Sequence, residues 1–470
     1  MVKLRSTSTH FSVRNFGNYL RGPVIGINFG FTNSSVAILE ERKAKVLKND
    51  EDSFTTPSVV AFIGNGEYLV GAPAVRQAVL NSQNTIFVIK RLIGLKYDDK
   101  QVQDFMKTVP YKIVKSFNGD ACIEIQSKLY SPSQIVSFIL LKLKQTAENY
   151  LNKKVGDAII TIPGYFNDSQ KQALEEAGKL AGMKILRFVD DSATAAAIDC
   201  DYGRGSREIA VCNLNGGIFE FSILRVQDEA YEILSTNHNP LLIGDAFNNT
   251  IVNYFVSEFE RENGIDLSKD PVAIQRLRKA SEKAKCRLSS CTQTEIILPN
   301  IFVDTNGPPK HFRIKLTRSK FEELTENLIQ KIVQLAQKTL NDAKMANQAD
   351  DKDLQLNEEE EDLQSTGVTS VLIIGGMSKV PKIRNVIEEI FKKEISDSQL
   401  EDGEISTGAI YLGVLFGDIN YLDDRRTSKN RIFTMASQKM FIGDRKAVGL
   451  QNLAKHVFIF IISPKENFFL

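Results

Sequence analysis

Histidine is scarce, cysteine is unpaired and acid is missing from the start of the chain, and each shortage closes off a class of function. Four histidines, His10, His238, His311 and His456, lie scattered over 470 residues, which leaves little from which to build a His/Cys metal site. The five cysteines, Cys122, Cys200, Cys212, Cys286 and Cys291, form no CxxC pair, and their odd number argues against a disulfide framework and for a reducing compartment. No apolar run reaches the ~18 to 20 residues that span a bilayer. The nearest, Val457 to Ile462, is halted by Ser463 and Pro464 and reads as a strand. A net charge of +1 gives no reason to expect direct nucleic-acid binding. The first 39 residues hold no Asp or Glu, yet carry Lys3, Arg5, Arg14 and Arg21 among Ser and Thr. Such a start has the make-up of a mitochondrial transit segment, with a plain disordered tail as the alternative.

What is present is the composition of an ordinary soluble domain, 42% hydrophobic and 25% charged, long enough for two or three domains with substantial cores. Strand-like runs alternate with amphipathic helices, which predicts an α/β fold. Ser131-Pro132 announces one helix, a second runs from near Asp168 to Gly182, and longer ones cover Val272 to Leu288 and Lys320 to Lys344. Two distant stretches are built alike. Residues 24–38 (VIGINFGFTNSSVAI) and 209–223 (IAVCNLNGGIFEFSI) each give an apolar strand, a polar residue at its tip, a Gly-bearing turn and a second strand. A third glycine turn, Gly375-Gly376, follows the strand Ser370 to Ile374. Glycine turns let backbone N–H groups approach a phosphate closely, so two facing copies predict a nucleotide cleft between related lobes. At the two strand tips stand Asn28 and Asn213. A neutral amide grips Mg²⁺ more weakly than a carboxylate, so bound magnesium is expected to be weak or missing, and no direct metal-ligand set is expected.

Residues 350–362 contain eight acids and one lysine. The composition predicts a solvated loop, or else a docking segment for a basic partner. Beyond Asn420 a polar connector leads into about 40 residues too few to pack well alone.

The order of motifs resembles the ATPase domain of the DnaK-type 70-kDa heat-shock chaperones, most closely their mitochondrial branch. GPVIGINFGFTNSSVAI is similar to the family's first phosphate loop, NLNGGIFEFSI to its second and IGGMSKVPK to its third, while KLYSPSQIVSFILLKLKQTAENYL, TIPGYFNDSQKQALEEAG and SEKAKCRLSS read almost as the family does. The resemblance implies an actin-like ATPase fold over residues 22–420, two lobes around a cleft, with an acidic insertion near 347–366. It also implies a probable mitochondrial leader at 1–21 and, at 421–470, a truncated tail that is a remnant of the peptide-binding domain. Lys90 stands where the family keeps the lysine that positions the attacking water. Asn28, Phe31, Asn213, Ile218 and Glu220 depart from the family's Asp, Thr, Asp, Thr and Asp, and Asp191 stands for a Glu. Glu282, Lys285, Cys286, Ser289 and Lys379 resemble the adenosine clamp, and Gly30, Thr32, Asn33, Gly216, Gly217, Gly375 and Gly376 could offer phosphate contacts.

One preorganised electrostatic group is worth on the order of 3 to 4 kcal/mol in catalysis. Counted position by position, these departures predict ADP or ATP held without turnover. The expectation is therefore a catalytically inactive relative, no enzyme, serving as an accessory subunit among protein partners in a mitochondrial respiratory complex, ATP synthase or ribosome. It would reside in the matrix or on the matrix side of the inner membrane. The alternatives are a nucleotide-binding regulatory co-chaperone that does not hydrolyse, and a slow ATP-dependent chaperone.

Overall fold

The computed structural model describes residues 23–415, apart from 42, 65, 200–206, 215–218, 228–229, 240–243, 304–307, 354–366 and 396–402. The leader, the tail from 421, the second glycine turn and most of the acidic stretch lie outside the described residues.

The two similar stretches fold into matching hairpins. Val24–Asn28 pairs antiparallel with Asn33–Glu40, and Arg207–Leu214 pairs antiparallel with Phe219–Gln227. Each first strand then takes a parallel neighbour on its other side, Asp157–Ile162 in one lobe and Val368–Ile374 in the other. Strands covered on both faces are apolar throughout rather than alternating, and every residue of Asp157–Ile162 is buried. The first sheet runs Lys184–Asp190, Asp157–Ile162, Val24–Asn28, Asn33–Glu40, Lys43–Val46, with Thr56–Pro57 paired to Asn33–Glu40. The second runs Ala230–Asn239, Phe219–Gln227, Arg207–Leu214, Val368–Ile374.

Helices close over these sheets, and their starts were legible in sequence. Pro132–Leu151 begins with a capping box: Ser131 N donates to Gln134 Oε1 at 2.8 Å and Gln134 N to Ser131 Oγ at 3.2 Å. Asp168–Leu180 repeats the device with Asn167 and Gln170. A cap of this kind is worth about 1 kcal/mol. The helix Arg318–Asp353 runs past Lys344, where the sequence reading stopped it. Asn347 holds this extension to the sheet, donating to Glu208 Oε1 at 2.7 Å and accepting from Arg225 at 2.6 Å.

Each lobe has its own core. The first gathers Ile25, Ile27, Phe29, Ile139, Leu140 and Ile160; the second gathers Phe219, Phe247, Phe255, Phe259 and Phe312. Between them the helices Asp191–Asp199 and Ile405–Leu415 cross at Gly408, where an added Cβ would meet Thr194 O at 2.6 Å. The lobes also touch directly: the Tyr165 ring stacks on His238 at 4.1 Å between centroids, and Arg278 donates to Thr108 O at 3.2 Å. Among the described residues no helix is long and apolar enough to cross a membrane.

Candidate nucleotide site

Strand tips from both sheets meet in one cavity. Asn28, Gly30, Phe31, Lys90, Asp191, Asn213 and Glu220 line it, joined by Pro163 and Tyr165. The sequence reading thus named seven of its lining residues and missed two, although both sit in the motif TIPGYFN. Gly216, Gly217 and Ile218 lie outside the described residues. Thr32 and Asn33 are exposed at the turn's outer edge.

The first turn is tight and pinned. A Cβ on Gly30 would meet Asn33 O at 2.0 Å, so glycine is required there. Ser58 ties the turn down, its N–H donating to Thr32 O at 2.7 Å and its hydroxyl to Gly30 O at 2.9 Å. Asn28 is anchored as well, its Oδ1 accepting from Thr161 Oγ1 at 3.1 Å.

Lys90 enters from the short helical turn Ile89–Arg91, launched by Val88 at φ 54°. A β-branched residue in the left-handed region is strained, and such strain persists where surrounding structure holds it at functional sites. Lys90 is 2% exposed. Its Nζ donates to Phe29 O at 2.5 Å and lies 5.1 Å from the Phe31 ring centroid, 5.5 Å from that of Phe29 and 5.5 Å from that of Phe166. Burial lowers its pKa, opposed by the charges of Asp191 and Glu220.

Facing it is a carboxyl cluster. Asp191 and Glu220 are buried, at 5% and 1% exposure. Asp190, which the sequence reading passed over although it adjoins Asp191, caps the helix behind them by accepting from Ser192 N at 2.8 Å and Ala193 N at 3.1 Å. Burial pushes the Asp190 carboxyl up to about 6, with the Asp191 charge adding to it. Glu220 is pushed well above the usual carboxylate range by burial first, then by Asp190 and Asp191. Ser192 Oγ donates to Glu220 Oε1 at 3.2 Å. Asp191 Oδ1, Glu220 Oε2 and the Tyr165 hydroxyl are buried with no hydrogen-bond partner among the described residues. Orphaned buried carboxylate oxygens are costly, and here they converge on one cavity.

None of the residues expected to clamp adenosine lines this cavity, and they are gathered at a more open surface. On the helix Pro271–Ser290, Lys285 Nζ donates to Glu282 Oε2 at 2.7 Å, and Cys286 Sγ lies 3.4 Å from Glu282 Oε1. Glu282 and Cys286 are exposed, and Ser289 is half-buried. Lys379 is near enough to bear on the Cys286 thiol, whose pKa is raised by burial and then by Glu282. A Cβ on Gly376 would meet nothing within 4 Å, and Gly375 turns the chain at φ 95°.

These residues fit a magnesium nucleotide in kind. The cavity offers a lysine, the pinned first turn and unsatisfied carboxyl oxygens. Among the described residues no three His, Cys, Asp or Glu side chains are gathered as a direct metal-ligand set. Mg²⁺ does not need one, since it keeps waters and takes one or two carboxylates plus the phosphates.

A two-lobed α/β protein with glycine turns from both sheets around such a cleft has the actin-like ATPase fold. The chain belongs to the Hsp70 family: it matches the family model described as Hsp70 protein over residues 24–425. It is 48% identical over 387 residues, 82% of this chain, to the heat shock protein hsp-6 of Caenorhabditis elegans, and it spans 56% of that relative's length. The likeness is to the mitochondrial branch, and the expected mitochondrial location stands. Nucleotide binding is general to the family, in keeping with the expected ADP or ATP.

Two expectations are overturned. An inactive structural subunit does not agree with near half identity, over most of the chain, to a heat shock protein of a chaperone family. The expectation of no enzyme falls with it. The physical reason is that the expectation weighs the neutral tips Asn28 and Asn213 above the charged groups that share the cavity with them. Folding sets Asp191 and Glu220 in the same cavity as Lys90, so the cleft keeps carboxyl oxygens although Asn28 and Asn213 carry none.

Proposed function

We propose that the protein is an ATP-dependent chaperone of the mitochondrial Hsp70 kind, hydrolysing ATP in the cleft between its lobes. The observation that carries the reading is the pair of orphaned buried oxygens, Asp191 Oδ1 and Glu220 Oε2, in one cavity with Lys90. Bound magnesium nucleotide supplies the electrophilic phosphorus and the cation that offsets charge on the phosphate oxygens. Asp191 and Glu220 would hold that cation, and Lys90 would set its positive charge beside the phosphates. Backbone N–H groups of the pinned first turn orient the phosphates, and Glu282, Lys285, Cys286, Ser289 and Lys379 bracket the base and sugar. The lobes exclude water from the phosphates, which strengthens each of these interactions.

The partners proposed are unfolded polypeptides rather than nucleic acid, in keeping with a net charge of +1. Of the three functions weighed on sequence grounds, the ATP-dependent chaperone is the one the comparisons favour. The test is capture of a fluorescent unfolded model polypeptide by the full chain, with ATP, with ADP and with neither. ATP is expected to speed release relative to ADP, and release that ignores the nucleotide would refute the chaperone cycle.

A further inference from the structure

Phe31 is the feature of the cleft that nothing above absorbs. Its ring is buried at 6% exposure and faces the Lys90 ammonium at 5.1 Å. With the ring there, the cavity has a volume of about 10 Å³, enough for about one water and too little for a tetrahedral phosphate. Ser58 pins the backbone on both sides of residue 31, so the turn itself is held. The neighbouring Thr32 and Asn33 are exposed.

Resting on the ATP-binding reading, we propose that Phe31 is an aromatic plug on Lys90 that only a nucleotide carrying a γ-phosphate displaces, so that ATP binding bears the cost of moving the ring and ADP binding does not. The adenosine clamp belongs to the second lobe and none of its residues lines the Lys90 cavity. A nucleotide seated on that clamp therefore meets Lys90 with its terminal phosphate. The phosphate competes for the ammonium with a cation–π contact and one backbone carbonyl. A charge-assisted hydrogen bond to a phosphate oxygen outweighs a cation–π contact, so a triphosphate turns the ring out by side-chain rotation while the turn stays fixed. A diphosphate falls short of Lys90 and leaves the ring in place.

The chain contains no tryptophan, so a Phe31→Trp variant carries a single reporter at this position. Its emission is expected to shift to the red when Mg²⁺ and a non-hydrolysable ATP analogue are added, and to stay unchanged with Mg²⁺ and ADP. As a second measurement, Phe31→Leu keeps apolar bulk but lacks the π face, and it should raise the ratio of ATP to ADP affinity on the order of tenfold. Equal responses to the two nucleotides in both variants, or no response to either, would overturn the plug. The wild-type chain separates this failure from failure of the nucleotide reading. If wild type hydrolyses ATP while the reporter is unmoved, the plug is wrong and the reading stands; if wild type neither binds nor hydrolyses ATP, both are wrong.

Discussion

The two halves of the cleft use charge in opposite ways. On the adenosine side Glu282 and Lys285 form an ion pair with the glutamate half exposed, its partners already in place, and Gly376 faces open space. On the phosphate side Lys90, Asp191 and Glu220 are buried, with oxygens unpartnered among the described residues and a phenylalanine ring against the ammonium. Exposed pairs contribute little, about 0 to 1 kcal/mol, whereas buried groups lacking partners carry a desolvation cost that a ligand can relieve. On the proposed function, the comparison teaches that the open group would set where a nucleotide sits, and the closed one would hold the free energy that chemistry can draw on.

That contrast can be broken most strongly at the carboxyls. Asp191→Asn should lower the ATP turnover rate about 100- to 1000-fold, the worth of one preorganised electrostatic group. Its thermal midpoint should hold or rise, because a buried carboxyl without a partner is removed. A variant that lost turnover only by unfolding would show a lowered midpoint instead.

Gly30→Ala tests the geometry of the same half. The new Cβ meets Asn33 O at 2.0 Å, so the turn must shift and the phosphate-facing N–H groups with it. Nucleotide affinity, read by calorimetry, should fall at least tenfold, with a stability loss of about 1 to 3 kcal/mol.

Acid sharpens the comparison next. Asp190 holds its proton up to about pH 6 in the folded chain, against an ordinary carboxylate value of about 4 in the unfolded one. Its contribution to stability is therefore complete below about pH 4 and is lost as pH rises through about 6, and Glu220 acts in the same direction. The thermal midpoint of the nucleotide-free protein, taken relative to Asp190→Asn, should therefore fall between about pH 5 and 7.5, and a difference that does not change with pH would mean that Asp190 keeps its ordinary carboxylate value.

The smallest effect belongs to the open half. Glu282→Gln loses a half-exposed pair with Lys285, worth about 0.2 to 1 kcal/mol, so adenosine and ATP affinity should fall together by no more than severalfold. A large loss confined to ATP would place Glu282 with the phosphates and undo the division.

Much of the fold was legible in the chain. The repeated strand, glycine turn and strand located both hairpins, and Ser131-Pro132 marked one helix start while a second was expected near Asp168, because helix starts are local signals. The third glycine turn, Gly375-Gly376, likewise lies where strand Val368–Ile374 ends. The cavity was legible as a set of positions. What could not be read was which charges meet, since Asp190, Asp191, Glu220 and Lys90 are distant in sequence or hidden in a doublet, and only the fold brings them together. Phe29 and Phe166 are buried, and their faces toward Lys90 follow from packing. The end of the helix at Asp353 escaped for a similar reason, because Asn347 is fixed by Glu208 and Arg225 from a different part of the chain.

The most direct measurement is a single-turnover assay of wild type beside Asp191→Asn, with radiolabelled ATP and Mg²⁺ in excess protein at pH 7.5. Conversion of bound ATP to ADP by wild type, with the variant binding ATP but converting it at least a hundredfold more slowly, is the result expected if the buried carboxyls drive the chemistry. ATP that stays intact on the wild-type protein, or that the variant cleaves equally fast, would contradict that claim.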